Sequence, residues 1–254
     1  MQSKSNIKRY IFRSDRLLKA YEKKYKKLLD NALQEQAKHA FEHNFEIIDT
    51  LTPVIENLYM EVGTSAYEFQ YKLLEKTTTK SIFLNTFENW IKGYLSAIVG
   101  GRVRNINDTT RLSLKKIIEE GFIGRTLFEL TAEKLQQIYA FSAKRAMMIT
   151  RTEIGNINNE AKDKSSEDWK RESGNELYKI WIHRGAKDPR DWHVAMDNGK
   201  AIPKEQAFIV SNPNGETDYM ERPHDQTASA GNTINCGCEV IYVSESYAKR
   251  RGLI

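Results

Sequence analysis

The sequence predicts an α+β protein: a mainly α-helical N-terminal two thirds followed by a small, loop-rich α+β C-terminal module with short strands. Three observations predict it. Pro53 is the only proline before Pro189, after which Pro203, Pro213 and Pro223 follow closely, and a proline-free run of that length permits long helices while the later cluster implies loops and short strands. Glycine follows the same trend, at Gly185, Gly199, Gly215, Gly231 and Gly237. The period of the apolar residues also shortens, from three or four before Gly174 to two after it.

Helical spacing covers Ile11 to Ala37, Phe45 to Val62, Tyr67 to Leu74, Thr86 to Val99 and Thr109 to Glu120, the last broken from its successor by Gly121 and Gly124. The sixth helix is the clearest. From Thr131, a good N-cap with Glu133 in the positive first turn, Leu135, Ile138, Ser142, Ala146 and Ile149 recur three or four apart as far as Arg151. The division expected is residues 1–130 as a helical N-terminal region and 131–254 as a module, with a long helix over 131–173 and a β/loop domain over 175–245. In that domain Tyr178, Ile180 and Ile182 alternate with Lys179, Trp181 and His183, and residues 239–243 form a second β-rich run. Two strands so placed can pair and bring the ends of the domain together.

With 254 residues, 40% apolar and 29% charged, the chain is long enough for two ordinary domains, and it is neither a disordered tail nor a miniature. No stretch offers the roughly 20 consecutive apolar residues of a membrane span, and the start, Met1 to Tyr10, is polar and basic rather than an export signal. The formal charge of +5 favours contact with polyanions. It is uneven: the first thirty residues hold ten basic and three acidic side chains, a local +7 that includes Lys23, Lys24, Lys26 and Lys27. Such a segment is either a solvated helix face or an arm against nucleic acid or an acidic partner.

Two cysteines, Cys236 and Cys238, sit one residue apart, too close for a relaxed disulfide, which excludes a secreted disulfide scaffold and favours a reducing compartment. With His193 and His224 they make four possible zinc ligands, and a loop-rich domain with little core gains most from such a staple. A C-x-C pair is a poorer chelate than C-x₂-C, although Gly237 admits unusual backbone angles. A pair of reduced, partly buried thiols is the other reading. Asp188, Arg190, Asp191 and His193 crowd into six residues ahead of an Asn198-Gly199 turn. A His beside carboxylates can serve a hydrolase or nuclease, but no serine elbow, H-E-x-x-H or phosphate-cradling glycine loop accompanies it. Arg151, Thr152 and Glu153 close the sixth helix either as the charged end of its face or as a contact to the C-terminal domain.

Taken together, these residues resemble the phage head morphogenesis, or Mu F-like, minor capsid proteins. The similar elements run in order over roughly residues 130 to 243. They are a helix ending in Arg151-Thr152-Glu153, its Asn158-Asn159-Glu160-Ala161 continuation, the Trp181 strand, Asp188, Arg190 and His193, the Asp197 to Gly199 turn, a Phe208 strand and the closing Ile234-Asn235-Cys236-Gly237-Cys238. Gly237 stands where the family usually has Arg, and the Asp197 turn is one residue longer than usual.

The resemblance implies a minor component of tailed-phage heads, not an enzyme, that associates with the portal and with major capsid or scaffold proteins and contacts packaged DNA. It would sit in the head interior or at the portal vertex of the virion, and in the host cytoplasm during assembly. It also implies a metal set of His193, Cys236 and Cys238, with His224 available as a fourth ligand, and a bridging role between helix and module for Arg151, Thr152, Glu153, Asp188 and Arg190. The alternatives are a zinc-dependent nucleic-acid-processing enzyme and a phage-encoded DNA-binding accessory protein.

Overall fold

The computed structural model describes residues 4–43, 45–74, 80–124, 138–185 and 189–254. The protein is α+β, with helices filling the N-terminal two thirds and short strands the C-terminal module. Helix α1 (Lys4–Glu42) buries Tyr10, Ser14, Leu18, Tyr25, Leu29 and Leu33 along one face. Helix α2 (Thr52–Leu74) runs through both of the segments predicted over 45–62 and 67–74. It begins later than the pattern suggests because Phe45 lies in the left-handed region (φ 65°) and because Asp49 Oδ1 accepts from the amides of Leu51 and Thr52, just ahead of Pro53.

Helix α3 (Lys80–Gly124) likewise joins the two helices expected over 86–99 and 109–120. Gly100 and Gly101 between them have open space around them, so here they weaken the sequence signal without interrupting the helix. Helix α4 (Ala143–Ser173) starts at Ser142, whose side chain accepts from the Arg145 amide, and a single 3₁₀ turn over Tyr139–Phe141 precedes it. Thr131 and Glu133 lie outside the described residues, but the continuous helix expected from Thr131 through Ile138 and Ser142 does not form: Ser142 is extended (ψ 153°) and its side chain caps α4 instead. At the other end Gly174 closes α4 in the left-handed conformation (φ 67°) with its amide on the Lys170 carbonyl. No helix among the described residues is long and apolar enough to cross a membrane.

Helix α4 is the centre of the molecule, packing on α1, α2 and the sheet. Its approach to α2 is close enough that a Cβ on Gly63 would lie 3.0 Å from Ile157 Cγ1. The C-terminal elements are β1 (Leu177–His183), α5 (Asp191–Met196), β2 (Ile202–Pro203), β3 (Phe208–Ser211), β4 (Thr217–Met220), α6 (Ala230–Thr233), β5 (Cys238–Ser244) and α7 (Glu245–Arg250). As the alternation implies, β1 pairs antiparallel with β5 from Leu177↔Ser244 to His183↔Cys238, with β2 on the far side of β1. The strand at Phe208 pairs with β4 in a separate hairpin.

Alternation splits the contents of the sheet between two faces. Ile180, Ile182, Ile241 and Val243 pack with Tyr10 of α1. Trp181, Val240, Tyr242 and Cys238 pack with Phe208, Val210, Met220 and Cys236. Burying each of these large apolar side chains stabilises the fold by roughly 1.5–3 kcal/mol.

Strand β5 is an edge strand, and two side-chain amides take the place of a further strand. Gln70 of α2 donates to the Tyr242 carbonyl and accepts from its amide (3.0 and 3.3 Å). Asn159 of α4 donates to the Cys238 carbonyl (3.3 Å) and accepts from the Val240 amide (2.8 Å). Buried ladder groups that would otherwise cost free energy are thereby paired, and the sheet is locked edge-on to the helices.

Candidate metal centre

Two elements deliver the cysteines: Cys236 precedes β5 and Cys238 opens it, on the face of the sheet shared with Trp181. His193 comes from α5, whose backbone turns on the Arg190 carbonyl, and its ring meets Trp181 edge-on with centroids 5.4 Å apart. All three side chains are buried. His193 Nδ1 lies 3.4 Å from Cys236 Sγ and 3.8 Å from Cys238 Sγ, and the three candidate ligand atoms fall within 4.8 Å of one another. Metal–ligand bonds of about 2.0–2.3 Å in a tetrahedron imply ligand–ligand separations of about 3.5 Å. The trio can hold a metal ion.

Surrounding groups present the histidine in the form a metal needs. Asn232 donates through Nδ2 to the Asp218 carboxylate (2.7 Å), so its Oδ1 is an acceptor, facing both Trp192 Nε1 (2.8 Å) and His193 Nε2 (3.1 Å). His193 thus donates from Nε2 to the Asn232 amide oxygen, itself backed by Asp218, and Nδ1 is the nitrogen that faces the sulfurs and would ligate a metal. Ser229 adds an amide and a hydroxyl donor to Asp218, and those bonds, the hydroxyl first, hold that carboxyl below its ordinary value.

The thiols share their charge. Cys236 is drawn well below the ordinary thiol value, chiefly by its bond with Cys238 and against burial, with His224 and His193 assisting. Cys238 is pushed up by the same contact and by burial, so one sulfur of the pair is favoured as thiolate while the other keeps its proton. A dication in the trio would supply the charge that lets both deprotonate.

His224 stands beside this set without joining it. Its Nε2 faces the Cys236 carbonyl (3.1 Å), and Nδ1 has no partner among the described residues. Its ring fills the space over Gly155 of α4, where a Cβ would lie 2.2 Å from Nε2. Among the described residues no fourth His, Cys, Asp or Glu completes the trio.

Compared with known proteins, the chain matches no family model, no curated protein and no solved structure.

The remaining sequence candidates fall into two groups. Arg151 donates to Asn235 Oδ1 (2.9 Å), Thr152 Oγ1 accepts from the Asn235 amide (2.9 Å), and Arg190 donates to the Ile234 carbonyl (2.7 Å). All three hold the turn that leads into Cys236, and Asn235 takes a left-handed conformation there (φ 55°). Glu153 points the other way, accepting from Tyr59 and Arg102 in the helical layer. Asp188 lies outside the described residues. Of the basic arm, Lys23, Lys24 and Lys27 are exposed and Lys26 is half-buried, while Lys24 is engaged with Glu61 (2.6 Å).

Sequence reasoning missed a second polar centre. Lys162 of α4 and Glu239 of β5 form a fully buried ion pair (2.6 Å), to which Ser14 of α1 donates (2.7 Å). Burial alone would raise the Glu239 carboxyl, but Lys162, Arg184 and Ser14 together hold it below its ordinary value. Arg184 reaches the Gly237 carbonyl (2.9 Å) and Glu22 of α1 (3.3 Å), linking the same strand to the same helix. One signal was available: an acid inside an otherwise apolar strand.

Proposed function

We propose that this protein is a minor capsid, head-morphogenesis protein of a tailed phage, and that its C-terminal module is stapled by a structural zinc ion. One observation carries the reading. The scattered motif residues that resemble the Mu F-like series converge on a single closing turn: Arg151, Thr152 and Arg190 hold Ile234-Asn235, Asn159 holds Cys238, and His193 meets both cysteines.

His193, Cys236 and Cys238 supply three zinc ligands, the charge of two thiolates and one imidazole suiting that ion. The bound ion cross-links α5 to β5 and so fixes the module against α4. The role is structural rather than enzymatic, His193 being committed to the thiols and Asn232. The protein works in the host cytoplasm during assembly and then in the head or at the portal vertex. Its partners are the portal and the major capsid or scaffold proteins, and its basic α1 faces acidic partner surfaces or packaged DNA.

Fractionation of infected cells tests the capsid role. The protein should co-purify in sub-stoichiometric amounts with portal or procapsids, and its absence from procapsids and mature particles alike rejects the role. Metal analysis tests the staple separately. Protein purified without chelator should carry about one zinc, lost in the Cys236→Ser Cys238→Ser variant; no metal in either preparation rejects it.

A further inference from the structure

Between α1, the start of α4 and the Asn235 turn lies a cavity of about 370 Å³ whose lining includes Lys26, Lys144, Met147, Met148, Arg151 and Asn235. That volume sits at the lower end of the roughly 300–1,000 Å³ typical of small-ligand sites. Its charge is one-sided. Lys26 and Lys144, 118 residues apart in sequence, have no carboxylate within ion-pair distance among the described residues. Arg151 Nε lies 4.0 Å from Glu22, which is itself engaged with Arg184. Three cations gathered around one opening repel one another, and an anion entering it relieves that repulsion.

Between Lys144 and Arg151, on the same face of α4, the lining is apolar. Met147 and Met148 present half-buried, polarizable side chains of the kind that pack against flat rings. Asn235 spends its Oδ1 on Arg151, and its amide NH₂ has no partner among the described residues. A carboxylate side chain would satisfy the cations alone, whereas a nucleotide brings a phosphate for the rim, a flat base for the thioethers and an acceptor edge for the amide.

We propose that this pocket binds one nucleotide unit, its phosphate held by Lys26, Lys144 and Arg151 and its base laid on Met147 and Met148. The unit comes from a free nucleotide or from a polynucleotide strand. The site is distinct from the cysteine cluster and does not depend on the capsid reading.

Fluorescence anisotropy of the full-length chain with a labelled single-stranded oligonucleotide, competed by adenosine 5′-monophosphate, inorganic phosphate or polyglutamate, tests this. Lys144→Glu should weaken oligonucleotide binding by about tenfold or more, since it removes one charge-assisted contact and puts a repelling charge in its place. Lys26→Ala should also flatten the salt dependence, by about 0.7 in logarithmic slope for one lost single-strand phosphate contact. Met147→Ala should weaken nucleotide and oligonucleotide while leaving competition by inorganic phosphate unchanged, a split that general loosening of the fold does not produce.

Displacement of the oligonucleotide by the monophosphate marks a free nucleotide as sufficient. Failure of that displacement, with Lys144→Glu still weakening binding, marks a unit within a strand. Undiminished binding by a Lys26→Glu Lys144→Glu variant that retains its far-ultraviolet circular dichroism overturns the proposal, and so does polyglutamate competing as well as unlabelled oligonucleotide.

Discussion

The helical layer and the C-terminal module are held together by different means. Among the described residues, thirty buried apolar side chains form one continuous cluster that runs through α1 to α4 and ends at Leu177. The face of the sheet turned toward the β3–β4 hairpin has a cluster of eight, two of which are the cysteines. Apolar burial scales with area, so the helices can be stable through packing alone, while a module of short strands and turns cannot bury enough. The module relies instead on directional polar locks: the amides of Asn159 and Gln70 on the edge of β5, the Lys162–Glu239 pair, the Asp218–Asn232–His193 chain and the thiols. Polar locks are weaker than apolar burial in total but specific in geometry, and they fail when one partner is removed.

The contrast breaks most visibly at the buried ion pair. Lys162→Met strands the Glu239 carboxylate and should cost about 3–5 kcal/mol in urea unfolding, while adding Glu239→Leu should return stability close to that of the parent. A silent Lys162→Met would mean that the module does not depend on this lock. The same pair sets an acid limit. Glu239 is held below its ordinary 4.5, so the stability it confers is fully present above that value and is lost as pH falls through the depressed one. Asp163 behaves alike: burial raises its carboxyl, and Lys204 and Arg222 hold it below 3.8. Unfolding midpoints should therefore decline below about pH 4, and the double variant should lose the part due to Glu239.

A steric test probes the seam between the two regions. Gly155→Ala places a methyl 2.2 Å from His224 Nε2, and the ring cannot retreat easily, since it is buried and its backbone is left-handed (φ 61°). Overpacking of this kind should cost about 1–3 kcal/mol by thermal or urea unfolding. A cost below that range would show the turn around His224 to be pliable and the module loosely seated on α4.

At the other extreme, Lys24 and Glu61 are paired across α1 and α2 with both side chains nearly half exposed. Lys24→Ala should change stability by less than about 1 kcal/mol. A larger loss would show that the helical layer, too, depends on polar locks.

Much of this was legible in the residues because it is local. Proline and glycine placement, the three-to-four spacing and the alternation through Trp181 reflect chain geometry alone, and each led to the right kind of element. Boundaries were less legible. The Phe45 start failed because the Asp49 cap and Pro53 outweigh an apolar pattern, and the separation expected between Val99 and Thr109 failed because the 45-residue helix runs through Gly100 and Gly101, which nothing crowds. At the candidate site, the residue types of zinc chemistry singled out His193, Cys236 and Cys238, and the structure brings those three together. The same reasoning put His224 with them, since spacing cannot say which way a buried ring faces or that Gly155 leaves it a berth.

Gln70, Asn232 and Lys162 stood in the sequence as ordinary polar residues, Asn159 only as part of a motif and Glu239 only as an acid in a β-rich run. Their roles exist only where two distant segments meet: Gln70 and Tyr242 are separated by 172 positions, and Ser14 and Glu239 by 225. By itself the sequence determined the class of the fold, the long helices, the pairing strands and the residue types of the trio that can hold a metal ion, because backbone propensity, side-chain period and donor type are properties of short stretches. Tertiary structure alone decided which polar groups are buried, which of them are paired, the protonated nitrogen of His193 and the gathering of three cations around one cavity. Burial and electrostatic partnership depend on which distant residues meet, and short-range pattern does not encode that.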